Sequence, residues 1–308
     1  MADISAKDVM ALRQKTGCGM MECKKALVEA NGDFEEAVKV LREKGLAVAA
    51  KKAGRVASEG LVDIAREGKT TVMAEVNCET DFVAKNSTFK DFVKDILNTI
   101  LKNKPADLEA LLALNLDGSD RTVEAELKDK VFTIGENLAI RRFEVVEGVT
   151  GTYIHGGGAA GVVASFQTTN DIENTEAFKE YAKNICMQIA AMNPTYVCSH
   201  CVPQNVLDTE KEILLAQIKN DPKLANKPEA VIEKMISGRL TKFYETNCLN
   251  EQSYVKDEEK KVKDYTESVA KELGGNIAII DFVKYERGEG IDKKEEDFAA
   301  EIDKLIKG

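Results

Sequence analysis

Two stretches of the chain carry one pattern, FKDFVKDI at residues 89–96 and FKEYAKNI at residues 178–185. Each stretch has an aromatic side chain at its first and fourth positions and an aliphatic side chain at its eighth. Side chains at this spacing share one face of an α-helix, and an apolar face of this kind is typical of a helix that packs on a sheet. A chance likeness between two amphipathic helices is the alternative. The repeat predicts two related units, each with a helix that covers a sheet.

A strand–turn–strand pattern precedes each of these helices. The strands begin at Glu59 and return over residues 71–76 in the first unit, and begin at Glu147 and return over residues 161–166 in the second, with turns at residues 67–69 and 155–158. β-Branched runs bounded by glycine turns predict antiparallel hairpins. The sequence therefore predicts an α+β fold with two related core subdomains, residues 55–145 and 146–286, each an antiparallel hairpin with covering helices.

Residues 1–54 have the pattern of a separate helical unit. The start and stop signals are Ser5 with Asp8 and then Gly17 for the first helix, Met20 and then Asn31-Gly32 for the second, and Asp33 with Glu36 and then Gly45 for the third. Capping residues of these types begin helices, and glycine or asparagine in a left-handed conformation ends them. We predict an N-terminal three-helix (UBA-like) bundle, followed from Ala47 by a basic connector of small residues.

The chain changes character at about Gln204. Two charge-rich helices with apolar stripes follow, separated by a turn over residues 220–228. They predict an inserted helical-hairpin (coiled-coil) arm at about residues 204–247, which can bind a partner, dimerise or fold back on the rest of the chain, since its heptads are too few to decide. The elements expected beyond it are a helix over residues 262–273, a strand over residues 277–285, and a C-terminal module over residues 287–308 with an amphipathic C-terminal helix at residues 297–306.

Composition narrows the class of protein. The 308 residues carry a net charge of −10, which argues against a nucleic-acid binder held by phosphate contacts. No apolar stretch approaches the roughly 20 residues that span a bilayer, and the N-terminus has no secretory pattern. Seven scattered cysteines fit reduced thiols better than a disulfide framework. We therefore expect a cytoplasmic protein that binds neither nucleic acid nor a membrane.

Two glycine motifs imitate nucleotide-binding sites. Residues 156–161 satisfy the G-x-G-x-x-G string, and Gly68-Lys69-Thr70 resembles the end of a P-loop. Both kinds of site need a helix after the glycines, whereas the continuations over residues 162–166 and 71–76 are strand-like. Hairpin turns explain these glycines better. We expect no direct nucleotide binding and no cofactor.

Catalytic and metal-binding patterns are also weak. The chain has two histidines, and it has neither a G-x-S-x-G nor an H-E-x-x-H motif. The cluster Cys198-Ser199-His200-Cys201 has side chains of metal-ligand types, but it lacks a second pair of ligands at zinc-finger spacing. Free thiols on a loop before Pro203 are the interpretation that we favour. We therefore expect no catalytic residues, no metal site and no enzyme activity.

The residues NCETDFVAKN at 77–86 connect a predicted strand to a predicted helix. Asp81 and Phe82 place an acid next to a large aromatic ring, on a connection of the kind that often displays binding residues. One interpretation is a probe, whose carboxylate disturbs a cation or phosphate and whose ring enters a partner. The other is a helix-start acid, with Phe82 packed in the local core. The turn at residues 16–21, with adjacent methionines beside glycines, is a second candidate contact.

These motifs, with others along the chain, resemble the bacterial translation elongation factor Ts family. The residues that carry the resemblance are TGCGMMECKKAL at 16–27, ETDFVAK at 79–85, IGEN at 134–137 with Arg141-Arg142, HGG at 155–157, EKM at 233–235 with Gly238-Arg239, and RGEG at 287–290. They occur in order and at the family's spacing, and they cover essentially the whole chain.

The resemblance implies a guanine-nucleotide exchange factor that binds the GDP form of elongation factor Tu, displaces Mg²⁺ and GDP, and lets GTP bind. The residues that it assigns to Mg²⁺ displacement are Thr80, Asp81, Phe82 and Val83. The further partner contacts that it implies are Leu12, Gly19, Met20, Met21, His155 and Gly156. The arm also allows a homodimer or a 2:2 complex. Two alternatives stay open: an interaction adaptor without exchange activity, and a nucleotide-binding enzyme built on the turn at Gly156.

Overall fold

The computed structural model describes residues 4–224 and 227–292. In these ranges the chain builds two three-stranded antiparallel sheets, each covered by helices, with a helical bundle before them and a helical arm inserted in the second. We call the two sheets with their covering helices the body. The α+β class predicted from the sequence is confirmed. None of the helices within the described ranges is long and apolar enough to cross a membrane.

Three helices form the N-terminal bundle: α1 (Ala6–Thr16), α2 (Met20–Glu29) and α3 (Phe34–Lys52). The predicted capping box of α1 is confirmed, because Ser5 Oγ accepts from the Asp8 N–H (3.2 Å) and the Asp8 carboxylate accepts from the Ser5 N–H (3.2 Å). Gly17 ends α1 in the left-handed conformation, as predicted. The bundle core contains Val9, Leu12, Cys23, Ala26, Leu27, Ala37 and Leu41.

The predicted end of the third helix at Gly45 is wrong. Helix α3 continues through Gly45 to Lys52, so the predicted connector from Ala47 is helical. Alanine is the strongest helix former, and this segment also packs on α7 (Val123–Ile134). A Cβ at residue 45 would lie 3.5 Å from Phe132 of α7, an ordinary van der Waals distance, so this position faces α7. Gly45 therefore lies at a helix–helix contact rather than at a helix end.

The first sheet has the strand order β1-β2-β3, with β1 (Glu59–Glu67), β2 (Thr70–Cys78) and β3 (Leu138–Glu147). The predicted hairpin of β1 and β2 is confirmed, and Gly68-Lys69 is its turn. Strand β3 is absent from the prediction. Helix α5 (Ser87–Asn103) covers this sheet, and a short helix α6 (Leu108–Ala113) follows it. The core between this sheet and its helices contains Val72, Val76, Phe89, Phe92, Ile96, Ile100, Leu111 and Ile140.

The second sheet has the order β4-β5-β8, with β4 (Val149–His155), β5 (Ala160–Thr168) and β8 (Ile277–Glu286). The predicted β4–β5 hairpin is confirmed. Helix α8 (Glu176–Met192) covers the sheet, and α11 (Val262–Leu273) packs beside α8, preceded by a small hairpin of β6 (Ser253–Tyr254) and β7 (Asp257–Lys261). The repeated positions Phe178, Tyr181 and Ile185 are buried, as are their counterparts in α5.

The two sheets contact each other through a small apolar cluster. Its buried members are Val62, Met73, Val163 and Tyr285. The approach depends on glycine, because a Cβ at Gly161 would lie 2.6 Å from Val62 Cγ1. The Val62 N–H also donates to the Gly158 carbonyl at 2.9 Å. The glycine turn that imitates a nucleotide motif therefore joins the two sheets.

Gly158→Ala should destabilise the protein by about 1–3 kcal/mol more than Gly157→Ala. Both glycines have positive φ (104° and 64°), so alanine strains the backbone at either position. At residue 158 the new Cβ would also meet Leu61 Cβ at 2.7 Å, whereas at residue 157 it meets nothing within 4 Å. Urea unfolding of both variants measures the difference. Equal midpoints would show that the turn does not pack on β1.

The predicted arm consists of α9 (Gln204–Asn220) and α10 (Glu229–Asn247), which pack on each other. At its root, the Asn247 carbonyl accepts from the Thr195 and Tyr196 N–H groups at 2.8 and 3.0 Å. The Tyr196 carbonyl accepts from the Leu249 N–H at 2.9 Å, so the two ends of the arm are joined to each other. The predicted strand over residues 277–285 is β8, whereas the predicted helix over residues 297–306 lies outside the described residues.

A buried carboxylate joins the first sheet to the segment after β8. Glu75 on β2 is fully buried, and it accepts hydrogen bonds from the side chains of Arg141 (3.0 Å) and Arg142 (2.7 Å). It also accepts from the Gly288 N–H at 2.8 Å. Burial alone raises the pKa of Glu75, but the donors from Gly288, Asn77 and the two arginines hold that pKa below its ordinary value. Glu75 is therefore charged at neutral pH and holds the end of β8 over the first sheet.

Candidate functional site

Residues 80–83, which we call the probe loop, begin a short helix at the end of β2. Thr80 is the N-cap of this helix, α4 (Asp81–Lys85), and its Oγ1 accepts from the Val83 N–H at 3.4 Å. Val83 packs against the core of the first sheet, whereas Phe82 is 81% exposed. The interpretation in which Phe82 packs in the local core is therefore wrong. The loop exposes a large apolar ring to solvent.

The Glu136 carboxylate holds the start of α4. It accepts from the Glu79 N–H (3.1 Å), the Thr80 N–H (3.0 Å) and the Thr80 hydroxyl (2.6 Å). Hydrogen bonds to a charged acceptor are roughly twice as strong as those between neutral groups. Glu136 therefore fixes the direction in which Phe82 projects.

A second set of polar contacts supports the same loop. The Glu79 carboxylate accepts from the Asn137 N–H at 2.6 Å and lies 3.6 Å from the Arg55 guanidinium. Asn137 Nδ2 donates to the Arg55 carbonyl at 2.8 Å. The segment after α3 and the segment after α7 are thereby tied to the end of β2. Three separate parts of the chain therefore support the loop that carries the exposed ring.

The acid next to the ring is paired with a lysine. Asp81 Oδ2 accepts from Lys85 Nζ at 2.6 Å, one helical turn further along α4. This hydrogen bond lowers the pKa of Asp81 below its ordinary value, so the carboxylate is charged at neutral pH. Exposed ion pairs are weak, so another cation can compete with Lys85 for the carboxylate.

The methionine turn lies on the surface of the bundle. Met20 and Met21 are 38% and 63% exposed, and Gly19 is exposed beside them. Flexible thioether side chains suit adaptable contact surfaces. Leu12, predicted as a further partner contact, is fully buried in the bundle core, which corrects that prediction. Its side chain has no exposed area that could contact a partner, so its role is in the core of the bundle.

A cleft of about 680 Å³ separates the bundle from the first sheet and its helices. Gly17 and Cys18 line it on the bundle side, and Val83 and Arg121 line it on the other. The residues that follow Cys18 form the methionine turn, and Val83 belongs to the probe loop. One cleft is therefore lined by the residues just before the methionine turn and by one residue of the probe loop, whereas Met20 lines a separate recess with Met10 and Arg13.

The third predicted contact, His155 with Gly156, lies elsewhere. Both residues are exposed at the tip of the β4–β5 hairpin, and His155 Nδ1 lies 3.2 Å from the Tyr153 hydroxyl. Neither residue lines the cleft. The structure does not bring them together with the probe loop, so a contact there would involve a different part of the partner.

The prediction of free thiols at Cys198 and Cys201 is wrong, because the structure joins their Sγ atoms in a disulfide. Over residues 4–224 and 227–292, no group of three or more His, Cys, Asp or Glu side chains is arranged to hold a metal ion. The predicted contacts that are exposed offer an aromatic ring, a paired acid, an apolar turn and a histidine. Exposed aromatic and methionine side chains of this kind are typical of protein-binding surfaces.

Comparison with known proteins covers nearly the whole chain. A family model described as "Elongation factor TS" matches residues 79–289. The chain belongs to the elongation factor Ts family. Relatives named elongation factor Ts include those of Clostridium kluyveri (46% identical over 311 residues, 99% of each chain covered), Clostridium perfringens (47% over 307 residues, 98% of this chain and 99% of the relative) and Syntrophotalea carbinolica (44% over 307 residues, 99% of each chain). The resemblance inferred from the motifs is confirmed.

In this member of the elongation factor Ts family, the support beneath the probe loop is the part that sequence reasoning misses. Glu136 and Asn137 occur in one of the motifs that carry the resemblance, but the motif assigns them no role. Their partners lie more than fifty residues earlier in the chain, beyond the reach of helical or strand periodicity. The available signal is local: polar residues directly after the helix-ending Gly135 are well placed to bind a neighbouring loop.

Proposed function

We propose that the chain is a guanine-nucleotide exchange factor for elongation factor Tu in translation elongation, and that the probe loop acts on the partner's Mg²⁺. Membership of the elongation factor Ts family supports the exchange activity. The observation that carries the proposed site is the 81% exposure of Phe82 on a loop fixed by Glu136. A loop whose backbone is held before binding loses little conformational freedom when its side chain enters a partner.

Exchange requires no bond-breaking by this chain. Mg²⁺ that bridges the phosphates of a bound nucleotide demands near-ideal octahedral geometry, so a small displacement of its ligands weakens it. In the proposed mechanism the Phe82 ring enters the partner and shifts these ligands, while the Asp81 charge acts near the Mg²⁺ and phosphates. Linkage then requires bound GDP to weaken the partner's affinity for this chain by the same factor.

The remaining exposed groups hold the partner in place. In this proposal Gly19, Met20 and Met21 dock on the GTPase domain, and His155 with Gly156 contacts another domain. Their positions support this division, because Cys18, next to the methionine turn, and Val83 of the probe loop line one cleft, whereas the hairpin tip does not. Contacts at two separated places define where Phe82 meets the partner.

Release of a fluorescent GDP from elongation factor Tu, with and without this chain, decides between the open alternatives. Faster release at substoichiometric amounts of the chain supports exchange. Complex formation without faster release would support the adaptor. Saturable binding of GDP or GTP to the isolated chain, measured by calorimetry, would support the nucleotide-binding enzyme instead.

Glu136→Gln should slow GDP release by about tenfold, compared at equal concentrations of folded protein, and should also lower the free energy of unfolding by about 1.5–3 kcal/mol. The amide replaces one acceptor oxygen by a donor, so at least one hydrogen bond worth ~1.5–3 kcal/mol is lost, and 1.4 kcal/mol corresponds to a factor of ten in rate. Glu109→Gln, an exposed glutamate on α6, is the charge-matched control. A wild-type release rate in folded Glu136→Gln would show that exchange does not depend on the hydrogen bonds between Glu136 and the probe loop.

We also propose a division of the chain into domains. The proposed units are an N-terminal domain (1–54), a first core subdomain (55–145), a second core subdomain (146–286) with the arm inserted at about 204–247, and a C-terminal module (287–308). The UBA-like character of the bundle, the relatedness of the two subdomains and the coiled-coil character of the arm belong to this proposal. It is supported by the shared order of a hairpin, a covering helix and a later third strand in both subdomains.

Replacing residues 205–243 by a short Gly-Ser linker should leave a body that melts within ~4 °C of the full chain. Helices α9 and α10 pack mainly on each other, and the cut retains Asn247, whose carbonyl closes the root of the arm. Circular dichroism measures the melting temperature. A large fall would show that the arm supports the core. Sedimentation of both forms, alone and with elongation factor Tu, tests the proposed homodimer or 2:2 complex, which should require the arm.

We propose a cytoplasmic location, with neither nucleic acid, a membrane nor a cofactor among the ligands. The net charge of −10 supports the absence of nucleic-acid binding. The role of the family in translation supports the location.

A further inference from the structure

The Cys198–Cys201 pair has no part in the proposed exchange activity. The two Cα atoms lie 5.2 Å apart, and the Cys201 N–H donates to the Cys198 carbonyl at 3.0 Å. On either side of the turn, Val197 and Val202 are buried, at 7% and 6% exposure. Burial at both ends and the backbone hydrogen bond hold the two sulfurs near each other whether or not they are bonded.

The pair differs from the other five cysteines in accessibility. Cys201 is exposed and Cys198 is partly exposed. The buried free cysteines are Cys18, Cys23, Cys78, Cys186 and Cys248. Burial raises the pKa of the Cys78 and Cys186 thiols to about 12 and the pKa of Cys248 to about 11. Because the thiolate is the reactive form, these three are inert at neutral pH. Cys18 and Cys23 are 5% and 0% exposed, so the pair is more accessible to a thiol reagent than any of the other five.

The pair also lies at the root of the arm. The residues just before Cys198 bind the chain that leaves α10, since the Asn250 N–H donates to the Val197 carbonyl at 2.9 Å and the Leu249 N–H donates to the Tyr196 carbonyl at 2.9 Å. Helix α9 begins shortly after Cys201, at Gln204. The turn therefore connects the body to the first residues of the arm.

We infer that Cys198 and Cys201 form a reversible dithiol–disulfide exchange site, whose substrates are dithiols and their disulfides. A thiolate of the dithiol attacks the exposed Cys201 Sγ, the Cys198–Cys201 bond breaks, and Cys198 leaves as a thiolate that takes up a proton. The second thiol of the reductant, as its thiolate, attacks the reductant's own sulfur in the mixed disulfide and releases Cys201 as a thiol. Two electrons pass to the protein and the dithiol becomes a disulfide; the reverse steps restore the bond.

Reduction should loosen the root of the arm and leave the body unchanged. In the reduced state the turn keeps its backbone hydrogen bond and its two buried valines but loses the covalent link. Local opening with few buried contacts is the kind of motion that hydrogen exchange reports. Amide exchange over residues 198–206 should therefore become faster on reduction, while exchange in α5 and α8 stays the same.

The test uses the full chain, with dithiothreitol in its reduced and oxidised forms as the probe. After equilibration at a series of ratios, free thiols are trapped with N-ethylmaleimide without denaturant and located by peptide mass spectrometry. We expect Cys198 and Cys201 to become labelled together in one reversible transition, with the other five labelled only after denaturation. A disulfide that forms at no ratio, or labelling of the buried cysteines in step with the pair, overturns the inference.

Cys198→Ser and Cys201→Ser are the controls. Both variants should fold, lack the transition, and show amide exchange at the arm root that does not respond to dithiothreitol. Tight stoichiometric Zn²⁺ binding by the reduced protein that prevents reoxidation would overturn the inference in favour of a metal site that includes His200. An arm root whose amide exchange is equal in both redox states would overturn the proposed link to the arm. None of these readouts involves elongation factor Tu, so their outcome is independent of the exchange proposal.

Discussion

Phe82→Ala is expected to slow GDP release from elongation factor Tu by about 10- to 100-fold. A phenylalanine ring that moves from solvent into a partner contributes roughly 1.5–3 kcal/mol, and each 1.4 kcal/mol of transition-state stabilisation is a factor of ten in rate. Because the ring is 81% exposed in the free chain, its removal should change the free energy of unfolding by at most about 0.5 kcal/mol. Stopped-flow release of a fluorescent GDP, at equal concentrations of folded protein, measures the effect.

Ile280→Ala is the matched control, because Ile280 is an apolar residue on β8 with 54% exposure and lies on the other sheet. It should release GDP at the wild-type rate. If Phe82→Ala also did so, the ring would have no part in exchange. If Phe82→Ala instead unfolded at a lower temperature and exchanged normally once folded, the residue would be structural.

Asp81→Ala separates the charge of the probe loop from its shape. This variant should also slow GDP release, but the deficit should shrink when Mg²⁺ is chelated, because the carboxylate is proposed to act near the metal and phosphates. The slower GDP release of Phe82→Ala should be less affected by chelation of Mg²⁺ than that of Asp81→Ala. Lys85→Ala controls for the loss of the Asp81–Lys85 pair, which is exposed and contributes little to stability.

The double variant Met20→Ala/Met21→Ala is expected to weaken binding to elongation factor Tu by about 10- to 100-fold. Full burial of one exposed methionine side chain contributes roughly 1.5–3 kcal/mol, and because Met20 and Met21 are 38% and 63% exposed, docking of both adds the burial of about one whole side chain. The maximal rate of GDP release at saturation should stay close to wild type, because the probe loop is intact. Titration of release rate against concentration separates the two quantities.

Met192→Ala is the control for the methionine pair, since Met192 is 45% exposed at the end of α8. Its affinity for the partner should be unchanged. A double variant that binds normally would exclude the methionine turn from the interface. Deletion of residues 1–54 is a less selective test, because Phe132 of α7 packs against the bundle core and would be uncovered.

Local signals in the sequence were sufficient for several elements of the fold. Ser5 with Asp8 and the terminator Gly17 act on neighbouring backbone groups, so their effect can be read without the rest of the chain. Gly45 misleads for the opposite reason. Helix α3 packs on α7, far along the chain, and tertiary packing overrides the low helix propensity of glycine. Strand β3 escapes prediction because Arg141 and Arg142 interrupt its apolar pattern to pair with buried Glu75.

The candidate site also has one part that the sequence shows directly and another part that depends on distant residues. The adjacency of Asp81 and Phe82 is visible in the sequence, and with it the choice between a buried and an exposed ring. The choice itself depends on Glu136 and Asn137, which hold the start of α4 from a distant part of the chain. Cys201 shows the converse, since cysteine counting says nothing about which sulfurs meet. The resemblance assigns Leu12 to a partner contact, whereas its side chain is buried in the bundle core.

The late position of β8 has a consequence for how the chain folds during synthesis. Strand β5 pairs with β8, so the second sheet stays open until the ribosome has added about 110 further residues, roughly 5 to 20 s of elongation. The first sheet is complete once β3 emerges, although Glu75 still lacks its Gly288 donor. During that interval β5 is an unpaired edge on a half-folded nascent chain, the kind of strand that pairs wrongly with a neighbouring polypeptide. We therefore expect chaperones to bind this nascent chain mainly while the arm is being translated.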